Sequence, residues 1–169
     1  GYFKVAYGNC LIESYFTTVD LVACSDGNEI NDSPDLATGL SYGQTLNAEI
    51  CYMGDEDVYA FTGTAGDQVV IDIDAQSAGS ALDSYIYLLD SDGTTVLAQS
   101  DDERSGSLDS HLGYALPHNG TYYIRVRDYS YEGGTDYTYS LQLLTDSTAP
   151  TAAIVSPASD SWLDPDMQT

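Results

Sequence analysis

The chain has 169 residues, with 4 Lys and Arg against 27 Asp and Glu, for a formal charge of −23. Four basic residues, Lys4, Arg104, Arg125 and Arg127, cannot build the patch that displaces counterions from a nucleic-acid backbone, and no apolar run approaches the roughly 18 residues of a membrane-spanning helix. Apolar residues make up 43% of the chain and include 15 Tyr, 3 Phe and 1 Trp, which removes it from the disordered class and leaves a folded acidic domain whose self-repulsion bound cations would relieve.

Residues 1–24 hold Tyr2, Phe3, Val5 and Tyr7, then Ile12, Tyr15 and Phe16, which reads as one strand and a turn with nothing local to pack against. Cys10, Cys24 and Cys51 are odd in number and form no C-x-x-C pair, so one disulfide with a leftover thiol is compatible and a zinc or redox motif is not indicated. From about Thr45 to Leu144 short alternating segments replace any helical period, and strands are predicted at 45–51, 57–63, 69–74, 84–90, 95–99, 109–116, 122–128 and 137–143. Val69, Ile71 and Ile73 share the core face while Asp72 and Asp74 face water. Ile124 and Val126 point in with Arg125 and Arg127 on the wet face, and Tyr137, Tyr139, Leu141 and Leu143 repeat the inward pattern. Asp90-Ser91-Asp92-Gly93 has the chemistry of a bulged hairpin turn, and Thr64-Ala65-Gly66-Asp67 and Pro117-His118-Asn119-Gly120 are expected to serve likewise. About eight strands at turn spacings of roughly 8–12 residues predict an all-β fold, an antiparallel, jelly-roll-like β-sandwich. Residues 146–169, with Pro150, Pro157, Pro165 and the apolar run Ala152 to Val155, read as a linker followed by one strand.

Chemistry concentrates in carboxylates. Glu29, Asn31 and Asp32 share one short loop, and Asp55 and Asp57 open a strand. If the loop folds over that strand end, five hard oxygen donors converge, and calcium takes about six to eight such ligands with carbonyls and water completing the set. Asp26 is a weaker candidate, and the competing reading is solvated carboxylates in a chain rich in them. Asp101, Asp102 and Glu103 read as a solvated loop, and Asp90 to Gly93 lacks the acidic spacing of an EF-hand loop. Gly39-Leu40-Ser41-Tyr42-Gly43 fits the string of a nucleophile elbow, but a polar loop precedes the serine and strand residues follow it, so no nucleophile is assigned. His111 in a strand and His118 in a turn read as structural. Tyrosine fits a pleated surface, so most of the 15 need no function. Tyr123, out of phase with inward Ile124, and Tyr129 and Tyr131 in the loop 128–134 are the candidates for contact with a ligand.

Several strings taken together resemble the bacterial pre-peptidase C-terminal domain, a calcium-associated β-sandwich related to the collagen-binding modules of clostridial collagenases. They are Asn31-Asp32-Ser33, Gly54 to Phe61, Ala65 to Val69, Leu88 to Gly93, Asp101-Asp102 and Gly120 to Val126, so the resemblance covers about 30–145. It implies that Glu29, Asn31, Asp32, Asp55 and Asp57 ligate calcium and that surface tyrosines hold a ligand. Gly1 to Cys10 followed by Ile12-Glu13-Ser14 resembles the closing strand of a papain-like cysteine peptidase, with Leu11 where that family commonly has glycine. The catalytic residues of that family would lie upstream. Thr148 to Pro157 resembles the first strand of a bacterial immunoglobulin-like domain.

The expected organisation is therefore a peptidase tail at 1–24, the sandwich at 25–145, and a linker with the first strand of a following domain at 146–169. The expected function is a non-catalytic, calcium-binding accessory domain of a secreted bacterial cysteine peptidase. It would bind a protein or polysaccharide substrate or a surface, or assist secretion, beside its upstream peptidase domain, with neither nucleic acid nor membrane span involved. The alternative is a passive spacer. A disulfide between Cys24 and Cys51 would tie the calcium loop to the strand leading into Asp55.

Overall fold

The computed structural model describes residues 26–146, together with the backbone of two short strands, β1 (Lys4–Tyr7) and β2 (Cys10–Glu13), which pair antiparallel with Lys4 opposite Glu13. The expected peptidase tail at 1–24 and the linker and strand at 146–169 otherwise lie outside the described residues. Nine further strands follow: β3 (Thr38–Gly39), β4 (Thr45–Glu49), β5 (Asp57–Gly63), β6 (Gln68–Asp74), β7 (Ser84–Leu89), β8 (Val96–Ser100), β9 (His111–Ala115), β10 (Gly120–Asp128) and β11 (Thr138–Asp146). They form a five-stranded sheet in the order β3-β5-β10-β7-β8 and a four-stranded sheet in the order β4-β11-β6-β9. All pairings are antiparallel except that of the two-residue β3 with β5. The all-β sandwich read from the sequence is the architecture observed, and no helix among the described residues is long and apolar enough to cross a membrane.

The core lies where period-two alternation places it. Val69, Ile71 and Ile73 from β6 and Leu141 and Leu143 from β11 meet Tyr59, Phe61, Ile86, Leu88, Tyr122, Ile124 and Val126 from the opposite sheet, all buried in one cluster. Burying each such side chain contributes about 1.5–3 kcal/mol, and facing inner surfaces of two sheets are the means by which short strands do so together. Phe61 and Tyr122 stack with centroids 5.7 Å apart, and Tyr42 meets Phe61 edge-on at 5.8 Å.

Two of the three turns expected to close hairpins do not. Asp90 to Gly93 joins paired neighbours, β7 and β8, with Gly93 at φ 68° and its N–H donating to the Asp90 carbonyl at 2.9 Å. Thr64 to Asp67 instead carries the chain from β5 in one sheet to β6 in the other, and Pro117 to Gly120 carries it from β9 to β10 across the same gap. The turn chemistry itself is present: Asp67 accepts the Thr64 N–H at 2.9 Å and Gly66 sits at φ 91°. The two crossing turns are bonded to each other, Ala65 N–H to Asn119 Oδ1 at 2.8 Å and Gly66 N–H to the Leu116 carbonyl at 2.8 Å. A side-chain-capped reversal fixes a change of direction, whereas the sheet that receives the next strand depends on distant partners.

Both histidines have structural partners. His118 bridges Asp90 at 2.9 Å and contacts the buried Tyr122 hydroxyl at 3.0 Å, and His111 meets Asp72 across paired β6 and β9 at 2.8 Å.

Candidate metal centre

Three short segments meet at one end of the sandwich. The loop 26–33 is laid against two strands by its own polar groups: Asp26 accepts the Asn28 N–H at 2.9 Å and the Glu49 N–H of β4 at 2.8 Å, and the Asn31 carbonyl accepts the Val58 N–H of β5 at 2.9 Å. The link 50–56 between β4 and β5 turns tightly, with the Asp55 N–H donating to the Tyr52 carbonyl at 3.0 Å and Gly54 at φ 83°. The loop after β10 closes over that link, the Gly54 N–H donating to the Tyr131 carbonyl at 2.9 Å. Gly133 is required for this approach, because a Cβ there would stand 2.3 Å from the Tyr52 carbonyl oxygen.

All five residues singled out as ligands fall in this region. Asn31, Asp55 and Asp57 are buried, at 0%, 1% and 0% exposure, Glu29 is partly buried, and Asp32 is exposed with Oδ2 accepting the Tyr52 hydroxyl at 3.0 Å. Asp55 Oδ2 accepts the Cys51 N–H at 2.6 Å and Asp57 Oδ2 accepts the Tyr139 hydroxyl. The second oxygen of each carboxylate, and both polar atoms of the Asn31 side chain, are buried with no hydrogen-bond partner. A buried polar group without a partner costs about 1–3 kcal/mol, and more if charged, so a cluster of them is a feature that a bound group would explain. Asp26, the weaker candidate, has both oxygens taken by backbone N–H groups and serves to anchor the loop.

The electrostatics follow from this crowding. Burial, then the charges of Asp55, Asp32 and Asp26, push the Glu29 carboxyl up to about 7. Burial pushes Asp57 up to about 8, with Asp55, Glu29 and Asp26 adding to the rise and the Tyr139 hydrogen bond opposing it. Asp55 is likewise raised, chiefly by burial. A divalent cation held here would reverse that balance by adding positive charge, and the donor set of carboxylate and amide oxygens has the hard-ligand chemistry that suits calcium.

Glu29, Cys51 and Asp55 also offer atoms within 4.8 Å of one another, with Cys51 Sγ 3.7 Å from Glu29 Oε1. Cys51 is disulfide-bonded, so its sulfur is no thiolate and the donors are the oxygens. The chain's other cysteines are Cys10 and Cys24, whose side chains lie outside the described residues.

A second acidic group forms where the sequence suggests only a solvated loop. Asp101 and Asp102 are joined by Asp83, their oxygens within 4.8 Å, and Asp83 Oδ1 and Asp101 Oδ1 are buried without partners. Asp83 stands apart from Asp101 in the chain and was outside the expected cluster.

The aromatic candidates lie on the outer face of the five-stranded sheet and the loop beyond it. Tyr129 and Tyr131 are 51% and 49% exposed, and Tyr123 is half-buried two places along β10 from Arg125. Sequence phase missed the centre of this face. Tyr85 and Tyr87 of β7 lie 4.8 Å apart, and Tyr85 lies 6.1 Å from Tyr129. Their alternation with inward Ile86 and Leu88 was the available signal. Arg127, expected on a wet face, is 7% exposed. Its guanidinium lies over Tyr131 at 4.2 Å and Tyr85 at 4.6 Å, donates to the Tyr87 hydroxyl at 2.9 Å, and donates to the carbonyls of Asp128 and Tyr129 at 2.6 and 2.9 Å. The outer face is covered locally because a planar cation stacks between rings at little desolvation cost.

Comparison with known proteins matches residues 55–128 to the family of the bacterial pre-peptidase C-terminal domain. A probable subtilase-type serine protease of Deinococcus radiodurans is 38% identical over 106 residues, 60% of this chain, and the chain spans 14% of that protein's length. Among solved structures, the pre-peptidase C-terminal domain of a Bacillus anthracis collagenase aligns at 18% identity and a TM-score of 0.49, covering 63% of this chain and 93% of that one. PliG of Aeromonas hydrophila, a periplasmic inhibitor of g-type lysozyme, aligns at 18% identity and a TM-score of 0.48, covering 64% and 96%. The family match runs from Asp55 in the carboxylate cluster to Asp128 at the end of β10, so the sandwich over residues 55–128 is similar to the bacterial pre-peptidase C-terminal domain.

Proposed function

We propose that this sandwich is a calcium-stabilised, non-catalytic accessory domain of a secreted bacterial protease. The observation that carries the reading is the set of orphaned buried oxygens on Asn31, Asp55 and Asp57, which lie with Glu29 and Asp32 on two segments, the loop 26–33 and the entry to β5, that only folding brings together. When bound, calcium supplies the positive charge these oxygens lack. The chain's own residues orient the donors: Cys51 N–H holds Asp55, Tyr52 holds Asp32, and Tyr139 holds Asp57. The parent is proposed at the level of a protease. The papain-like resemblance rests on the first fourteen residues, and the relative from Deinococcus is subtilase-type.

The tyrosine face, with Tyr123, Tyr129 and Tyr131 joined by Tyr85 and Tyr87, is proposed to contact a protein or polysaccharide substrate of that protease. Stacking against Arg125 and Arg127 pre-orders the rings of Tyr85, Tyr87 and Tyr131, which lowers the ordering cost of binding.

Thermal unfolding in EDTA and then in millimolar calcium, with Asp55→Ala beside the native chain, tests the cation site. Calcium at 100 times its dissociation constant adds about 2.7 kcal/mol by linkage. A rise in the native chain that Asp55→Ala abolishes is expected, and no rise in the native chain refutes the reading.

A further inference from the structure

We propose that Tyr139, oriented in turn by Tyr59, is a positioning residue of the cation site, so that cation occupancy is coupled to the contact between the two sheets. The inference rests on the reading of the carboxylate cluster as a cation site and adds residues that no ligand pattern includes. Asp57 opens β5 in the five-stranded sheet, whereas Tyr139 stands on β11 in the four-stranded sheet. The Tyr139 hydroxyl crosses the core to donate to Asp57 Oδ2, and the Tyr59 and Tyr139 hydroxyl oxygens are 2.7 Å apart. Each tyrosine has one proton to give. With Tyr139 giving its own to Asp57, Tyr59 must donate to Tyr139, and the chain runs from Tyr59 through Tyr139 to the carboxylate.

Asp57 and Tyr59 are 0% exposed and Tyr139 is 3% exposed, so bulk water does not compete for these bonds. With Oδ2 occupied, the oxygen left to present is Oδ1, which is buried and unpartnered. The hydroxyl therefore selects which oxygen of Asp57 is offered and holds its rotation. A hydrogen bond to a carboxylate is charge-assisted and roughly twice as strong as a neutral one, so the Tyr139 hydroxyl is a firm hold on that rotation.

The test measures calcium affinity by calorimetry, and terbium binding by tyrosine-sensitised luminescence, for the native chain, Tyr139→Phe and Tyr59→Phe, with unfolding temperatures recorded in EDTA. Outer-shell partners of metal ligands are worth about 10–100-fold in affinity. A loss in that range is expected for Tyr139→Phe, and a smaller loss for Tyr59→Phe, with EDTA unfolding temperatures that do not account for it. Native binding with affinities within about threefold in both variants overturns the positioning role and leaves the cation site standing. Absence of calcium and terbium binding in the native chain overturns the site itself, and the positioning role with it. If Tyr139→Phe does not fold in EDTA, Tyr59→Phe decides alone, and an unchanged affinity there refutes the relay.

Discussion

Replacing Asp57 with asparagine should stabilise the domain without cation and weaken it with cation. The carboxyl is raised from 3.8 to about 8, first by burial and then by Asp55, Glu29 and Asp26. A carboxyl whose folded value lies above its unfolded value contributes stability that is complete below about pH 4 and is lost as pH rises through about 8. Four units at about 1.4 kcal/mol each set a ceiling of about 6 kcal/mol. Relaxation and water entry around a buried charge reduce it, to roughly half. Asparagine has nothing to ionise, keeps an oxygen for Tyr139, and turns its amide N–H groups toward carboxylates that accept them. At pH 8 in EDTA, Asp57→Asn should therefore be about 3 kcal/mol more stable than the native chain, roughly 10 °C in Tm for a domain of this size. In saturating calcium the order should invert, since the variant has lost a ligand charge.

The assay is thermal unfolding at pH 5, 6.5 and 8, in EDTA and in calcium, for both chains. In EDTA the native Tm should fall as pH rises, and the variant's should fall less, retaining a slope from Glu29, whose carboxyl is raised to about 7. A native Tm that rises from pH 5 to pH 8 in EDTA, or a variant less stable than the native chain at pH 8, would refute the reasoning.

Denatured, unreduced protein should titrate with one free thiol, as follows from a disulfide at Cys51 in a chain of three cysteines; three thiols would contradict it. Gly133→Ala places a Cβ 2.3 Å from the Tyr52 carbonyl, so the two loops must part at a cost of about 1–3 kcal/mol, seen as a lower Tm and a weaker calcium response; an unchanged Tm would show that the loops yield freely. Arg127→Ala removes the hydrogen bonds to two carbonyls and to Tyr87 and should cost about 2–3 kcal/mol despite its place on an outer strand face. A Tm within a degree or two of native would return Arg127 to the ordinary wet surface.

The legible part of the site was chemical and local. Glu29, Asn31 and Asp32 share a loop and Asp55 and Asp57 share a strand entry, so each half could be read as a source of hard donors. The contributions of Tyr139 and Tyr59 were not legible: both sit at inward positions of alternating strands, where a tyrosine reads as core, and a hydroxyl reaching across to Asp57 leaves no mark at any fixed spacing. Asp83 escaped for the same reason, since it meets Asp101 only because β7 and β8 pair.

Alternation along β6, β10 and β11 determined by itself which side chains enter the core, because neighbouring strand residues must point to opposite faces. Tertiary structure alone decided the sheet in which each strand lies. The turns at Thr64 to Asp67 and Pro117 to Gly120 have the local chemistry of hairpins, yet each hands the chain to the other sheet. Local hydrogen bonds fix a reversal, whereas strand partners are chosen by which inner faces together bury the most apolar surface. That choice also carries the loop 26–33 onto the start of β5, where the carboxylates meet.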